Sequence, residues 1–194
     1  DKMKVPKILK VKDVEEDPRF ADIHDHLPKM PCLGLLIGSV RSGKSNLLVN
    51  MFCNDSFYKG LFDTVKIISN TLHTDNKGQL LAKYFDCEDH YEDWMIQAIK
   101  EEQSMYPRDE RPSFALVLDD ILTQDFSKNN AVSYFSTRFR HYIDFYIITT
   151  QSFRAVSGMI RSNANSVFIC RQQNRLELDK IAEEYAGMCG GYDN

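Results

Sequence analysis

Gly38-Ser39-Val40-Arg41-Ser42-Gly43-Lys44-Ser45 follows a short apolar run and precedes a helical pattern. Glycines at its first and sixth positions let successive backbone amides turn inward around an anion. The Lys44 ammonium can neutralise the β- and γ-phosphates of a nucleoside triphosphate, and the Ser45 hydroxyl can ligate Mg²⁺. The first turn of the helix, with Asn46, adds the partial positive charge of its N-terminus. A glycine-rich turn without function is the plain alternative. It does not explain why the whole pattern sits between a buried strand and a helix, as the mechanism requires. Arg41, inside the loop, reads as a solvated side chain.

A second polar group closes the apolar run Leu116-Val117-Leu118 with Asp119-Asp120. Asp119 is placed to hold the magnesium through its water shell, and Asp120 to orient or deprotonate an attacking water. Two acids opening a solvated loop would look the same in isolation; downstream of a phosphate loop they favour hydrolysis. A guanine-reading N-K-x-D segment is absent from the sequence, so ATP is the expected nucleotide. Ile147-Ile148-Thr149-Thr150-Gln151 puts an amide at the end of another apolar run. If that strand lies between those of the phosphate loop and the acid pair, Gln151 points at the γ-phosphate; otherwise it bonds its own loop. Arg138 and Arg140 precede the same strand and so belong at its opposite end. From there an arginine can still serve the nucleotide of a neighbouring subunit. Arg140 is the first candidate and Arg161 the second, against a surface salt bridge for either.

The elements that must position these groups can be read from hydropathy. Continuous apolar runs at 33–37, 64–69, 114–118, 143–149 and 166–170 are strands buried on both faces. Helices are predicted at 46–52, 91–99, 129–139, 153–162 and 175–186. In the second of them Tyr91, Trp94, Met95, Ala98 and Ile99 form one core-facing stripe. Strands alternating with amphipathic helices give an α/β fold, a mainly parallel sheet covered on both faces by right-handed crossovers. Ligands in such sheets bind at the carboxyl ends of the strands.

A chain of 194 residues, 43% hydrophobic and 27% charged, is one domain with a single core. Residues 1–32, mixed in charge and without period, read as an N-terminal arm or cover segment, and 33–194 as the nucleotide-binding domain. The apolar runs fall far short of the roughly 20 residues that span a bilayer, so no membrane partner is expected. Five scattered cysteines without a C-x-x-C pair fit neither a zinc site nor a disulfide framework, and point to a reducing compartment. The formal charge is −4, but residues 126–175 carry seven cations against Asp144 alone. That cationic stretch offers a surface for nucleic-acid phosphates.

Together these residues resemble the genome-packaging ATPases of large nucleocytoplasmic DNA viruses, the poxvirus-type branch of the FtsK-HerA superfamily of P-loop ATPases. The likeness runs from Leu33 to Tyr185. It rests on Ile37-Gly38 through Ser45, on Leu116 to Asp120, on Arg140-His141-Tyr142, on Thr149-Thr150-Gln151 and on Ile160-Arg161-Ser162-Asn163. The resemblance implies a three-layer P-loop NTPase of the ASCE type with strand order 5-1-4-3-2. It also implies ATP and Mg²⁺ as cofactors, with Lys44, Ser45, Asp119, Asp120 and Gln151 as the cis site and Arg140 as the trans arginine. The partners implied are double-stranded DNA, copies of the same chain in a homo-oligomeric ring of roughly five or six subunits, and proteins of a capsid vertex. The place implied is the host cytoplasm, in a viral factory, and the virion. Two features depart from the family: glutamate is usual where Asp120 stands, and Gly190 to Asn194 follow closely on a helix where further sheet or a tail is expected, which suggests a truncated C-terminus. Two other readings of the same residues remain, a P-loop kinase acting on a nucleotide or nucleic acid, and a nucleotide-gated interaction module with little turnover.

Overall fold

The computed structural model describes residues 17–71, 74, 76–122 and 130–186. Six strands form one sheet: β1 (Cys32–Ile37), β2 (Thr64–Ser69), β3 (Asp86–Glu88), β4 (Phe114–Asp119), β5 (Phe145–Thr150) and β6 (Ser166–Ile169). Every pairing is parallel and the order is β3-β2-β4-β5-β1-β6. Counting only the five strands expected from sequence, this is the order 5-1-4-3-2, with β3 added at the edge beside β2.

Buried strands alternate their side chains between two faces, and the core divides accordingly. Leu33, Leu35, Ile37, Leu116, Leu118, Tyr146 and Ile148 point to one face. There they meet α3 (Asp93–Ser104), α4 (Ala131–Ser136), α5 (Gly158–Asn163) and α6 (Arg175–Tyr185). Cys32, Leu36, Ala115, Val117, Phe145 and Ile147 point to the other, beneath α1 (Lys44–Cys53) and the end of α2 (Asn76–Leu81). Residues 17–31 lie across that second face, burying Phe20 and Ile23. Each fully buried Leu or Phe contributes about 1.5–3 kcal/mol, so this covering stretch is part of the core. Among the described residues no helix is long and apolar enough to cross a membrane.

Several elements differ from expectation. The predicted stripe on α3 is rotated: Trp94 is 58% exposed and Ala98 is exposed, while Met95, Ile96, Ile99 and Gln103 face the core. Trp94 instead donates from its indole nitrogen to Glu92 at 2.8 Å. The helix expected at 129–139 is shorter within the described residues, and a 3₁₀ turn, Phe139–His141, follows α4. Ser136 and Thr137 hydroxyls bond back to the carbonyls of Ser133 and Tyr134, a competition that ends helices. The helix expected at 153–162 divides into a 3₁₀ turn, Phe153–Ala155, and α5, which begins where the Ser157 hydroxyl caps the Ile160 amide. α2 and β3 are additional; β3 is three polar-flanked residues joined to β2 partly by the 2.7 Å ion pair between Lys66 and Asp86.

Candidate nucleotide site

The loop after β1 is pinned at its start by two strangers in sequence. The Gly38 amide donates to the Thr150 carbonyl of β5 at 3.1 Å, and the Ser39 amide to the Arg171 carbonyl beyond β6 at 3.1 Å. The backbone then turns through two left-handed residues, Arg41 (φ 59°) and Gly43 (φ 107°), the kind of conformation from which amide nests are built. A side chain at Gly38 has no room: its Cβ would stand 2.3 Å from Ser42 Oγ and 2.6 Å from Cys170 Cβ. α1 starts at Lys44 with Gly43 as its cap, so no side chain satisfies the first-turn amides. Ser42 Oγ is buried and has no hydrogen-bond partner among the described residues. A tight cradle, uncapped helix amides and an orphan hydroxyl fit an anion of phosphate size.

The strand ends bring the other groups to this loop. β1, β4 and β5 are neighbours in register, so Asp119, Asp120 and Gln151 emerge beside the phosphate loop. Lys44 is only 7% exposed; its Nζ donates to the Gly38 carbonyl at 2.7 Å and lies 3.9 Å from Asp120 Oδ2. Asp119 accepts from Thr149 Oγ1 at 2.5 Å on one oxygen and from Ser69 Oγ at 2.7 Å on the other. Burial pushes its carboxyl above the usual range, and these two hydroxyls only partly offset the effect. Asp120 sits in the left-handed region at φ 52°, its amide donating to Thr149 Oγ1 at 3.0 Å. Its Oδ2 accepts from Gln151 Nε2 at 3.0 Å.

These groups line a cleft of about 540 Å³ together with Ser39 to Ser45, Thr71, Thr74 and Lys77. No group of three or more His, Cys, Asp or Glu is gathered for a metal ion among the described residues. Ser45 and Asp119 are the residues that would hold Mg²⁺ here, an ion commonly bound by few protein ligands together with the phosphates of its nucleotide. Asn46 is exposed and does not line the cleft; Val40 and Arg41 stand at the loop's exposed tip.

No family model matches the sequence, and no curated protein does. Solved structures do. The genome packaging NTPase B204 from Sulfolobus turreted icosahedral virus 2, in complex with AMP, superposes with a TM-score of 0.62 at 18% identity, over 81% of this chain and 83% of its own. The fold is that of a P-loop ATPase. The cytoplasmic domain of EssC gives 0.58 at 12% identity, over 78% of this chain. That of the Type VII secretion ATPase EccC from Thermomonospora curvata gives 0.55 at 14%, over 74%. The chain spans 35% of the EssC structure and 20% of the EccC structure.

The arginines fall elsewhere on this P-loop fold. Arg140 is exposed on the 3₁₀ turn that feeds the amino end of β5, a strand length of about 20 Å from the cleft. Arg161 is engaged within its own chain: Nη1 donates to the Val156 carbonyl at 2.6 Å, Nε meets Glu184 at 3.2 Å, and the guanidinium lies 5.3 Å from the Phe153 ring centroid. Part of the cationic stretch is paired within the chain. Arg154, Arg161 and Arg175 pair with Glu177, Glu184 and Asp179 of α6, which leaves exposed Arg138, Arg140 and Arg171 without an ion pair among the described residues. Lys128 lies outside the described residues.

Sequence reasoning missed the residues that hold the site's own residues in place. Ser69 and Thr149 are register partners of Asp119 on the flanking strands, and Gln172 reaches both the phosphate loop and the Gln151 loop. Only strand pairing brings them together. The orphan hydroxyl of Ser42 had a signal in the loop motif but none in its burial.

Proposed function

We propose that this chain is an ATP-hydrolysing motor subunit that, in a homo-oligomeric ring, moves double-stranded DNA into a viral capsid. The observation that carries hydrolysis is the meeting of Lys44, Asp119, Asp120 and Gln151 at one cleft, where the strand ends of β1, β4 and β5 converge. In this reading the loop amides and Lys44 hold the β- and γ-phosphates, and Ser45 and Asp119 hold Mg²⁺. Asp120 takes a proton from the attacking water, while Gln151 senses the γ-phosphate. Lys44 would supply charge neutralisation, to which Mg²⁺ held by Ser45 and Asp119 would add, because phosphoryl transfer asks of the protein chiefly positioning and electrostatics.

DNA as cargo is supported by the likeness to a viral genome packaging NTPase over most of both chains and by the motif set of the sequence. The likeness to secretion ATPases favours a second reading, a translocated polypeptide. Exposed Arg140 is the proposed trans residue, and Arg161, held by three groups of its own chain, the weaker candidate. The proposed setting is the viral factory in the host cytoplasm and the assembled virion, with capsid vertex proteins as partners.

Purified oligomer should hydrolyse MgATP, faster with double-stranded DNA, and Lys44→Ala should abolish turnover. Mixed rings of Asp120→Asn and Arg140→Ala subunits should regain activity that neither has alone. Turnover indifferent to DNA, with no DNA binding, would overturn the DNA motor; absence of rescue would remove Arg140 from the trans role.

A further inference from the structure

The backbone around Gln151 is held by Gln172 and Glu177, which do not line the cleft. Its carbonyl accepts from Gln172 Nε2 at 3.1 Å. The other end of that same amide, Gln172 Oε1, accepts from Ser39 Oγ of the phosphate loop, whose oxygen in turn accepts from the Gln173 amide at 2.9 Å. Immediately after Gln151, the Ser152 hydroxyl donates to Glu177 Oε1 at 3.0 Å. The Arg154 amide donates to Glu177 Oε2 at 3.3 Å, and Arg154 Nε to Oε1 at 2.8 Å.

Glu177 is only 3% exposed. A carboxylate taken out of water costs free energy unless its oxygens are satisfied, so an element that merely had to pack would carry an apolar residue there. The first turn of α6 offsets part of that cost through its helix dipole. Burial pushes the carboxyl up, but the bonds from Arg154 and Ser152 outweigh it and leave it below the usual range. The charged form is thus the one built into the fold. One contact thus holds the Gln151 carbonyl itself and the other holds Ser152 and Arg154, which follow it, while Gln151 lines the cleft.

We propose that Gln172 and Glu177 are positioning residues for Gln151, fixing its backbone so that only its amide turns between Asp120 and a γ-phosphate. This rests on the hydrolytic reading of the cleft. Such residues act through geometry, and a misplacement of about 1 Å at a reacting centre costs up to about 100-fold in rate. Neither residue lines the cleft, and Glu177 makes no bond to the phosphate loop, whereas Gln172 also accepts from Ser39 of that loop.

The test is a pair of double-mutant cycles on MgATP turnover. Gln172→Ala and Glu177→Gln should each lower kcat by about 10- to 100-fold, with KM changed less than about 2-fold for Glu177→Gln. Gln172→Ala, which also frees Ser39 of the phosphate loop, should raise KM as well. In a Gln151→Ala background the same changes should cost less than about 2-fold, because the group they position is gone. Glu177→Gln keeps shape and volume; should it fail to fold by circular dichroism, the half-buried Gln172 decides the matter alone. Losses that add fully in the Gln151→Ala background, or a rise in KM with unchanged kcat, would overturn the proposal while leaving wild-type hydrolysis intact. A folded, oligomeric wild type without MgATP turnover would overturn the hydrolytic reading and this inference with it.

Discussion

The Gln151 side-chain amide donates to Asp120 Oδ2 at 3.0 Å, and the same oxygen faces the Lys44 ammonium at 3.9 Å. One carboxylate oxygen thus faces both the proposed sensor and the cation proposed to bind phosphate. In the proposed reaction a γ-phosphate would compete with Asp120 for Lys44, so binding would carry a small cost of weakening that pair. Asp120→Asn removes that attraction together with the proposed base. Turnover should fall by about 10²- to 10⁴-fold, the range for losing a general base. The affinity for a non-hydrolysable ATP analogue should hold or rise. Calorimetric titration beside a phosphate-release assay checks both; a parallel loss of affinity would put Asp120 in nucleotide binding instead.

Asp120 also explains its own departure from the glutamate usual in the resembling family. At φ 52° it occupies the left-handed region, where aspartate and asparagine are at ease and longer side chains pay roughly 1–2 kcal/mol. Asp120→Glu should therefore lose on both counts, with Tm lower by about 2–8 °C and turnover below wild type. Asp120→Asn should leave Tm near that of wild type. Thermal melts of the two variants separate backbone strain from chemistry.

The phosphate loop was legible because its residue types, spacing and flanking elements are all local. Asp119, Asp120 and Gln151 were legible as the polar ends of apolar strands. What holds them was not. Ser69 and Thr149 flank Asp119 only because β2 and β5 pair with β4 in that register, and Glu177 reaches the Gln151 loop from another element altogether. The strand order itself came from family resemblance, since hydropathy alone does not say which parallel strand lies beside which. β3 has three residues and no apolar alternation, so nothing in its sequence competes with a loop. On α3 the helical period was right but its phase was off, because Trp94 looks like core by type and finds its partner in Glu92 at the surface.

In the proposed reaction, protonation of Asp119 should contribute to the acid limb. Burial raises its pKa, with Asp120 nearby adding to the effect against the hydroxyls of Thr149 and Ser69 and the charge of Lys44. At low Mg²⁺ the fall of kcat/KM with decreasing pH should begin above the ordinary aspartate value of about 3.9. Added Mg²⁺, which competes with the proton, should move that limb downward. The stability sign is opposite to that of a salt-bridged acid. Folding favours the protonated form, so the cost of the charge is absent below the unfolded pKa and complete above the folded one. Asp119→Asn should thus lose activity while Tm at pH 7 rises or holds, which a melt in EDTA measures.

A second buried charge holds the opposite end of the sheet. Asp144 is 6% exposed; it accepts from the Phe114 amide at 2.9 Å and faces Arg111, also 6% exposed, at 3.4 Å. Arg111 in turn donates to the His141 carbonyl at 2.5 Å, which steadies the turn that presents Arg140. Asp144→Ala strands a buried guanidinium and should cost about 3–5 kcal/mol in urea denaturation. A loss under about 1 kcal/mol would mean that Arg111 finds water instead.

Two glycines make the steric claim about the phosphate loop testable by contrast. Gly60 also has a left-handed backbone, φ 73°, yet nothing stands within 4 Å of where its Cβ would be. Gly60→Ala should cost about 1 kcal/mol of stability through backbone strain alone and leave nucleotide affinity untouched. Gly38→Ala has no such strain to pay, but its methyl would strike Ser42 Oγ and Cys170 Cβ at 2.3 and 2.6 Å. Ser42 can turn its hydroxyl aside, whereas Cys170 follows a strand whose Ile169 is paired to β1, so the loop itself must shift outward. Overpacking of this kind costs about 1–3 kcal/mol, and the shift falls on the loop amides proposed to face the phosphates. Gly38→Ala should accordingly weaken binding of an ATP analogue by about 10-fold or more, beyond whatever it does to Tm. Equal affinities for the two variants would show that the cradle tolerates a methyl group and that its close approach is not what binds the anion.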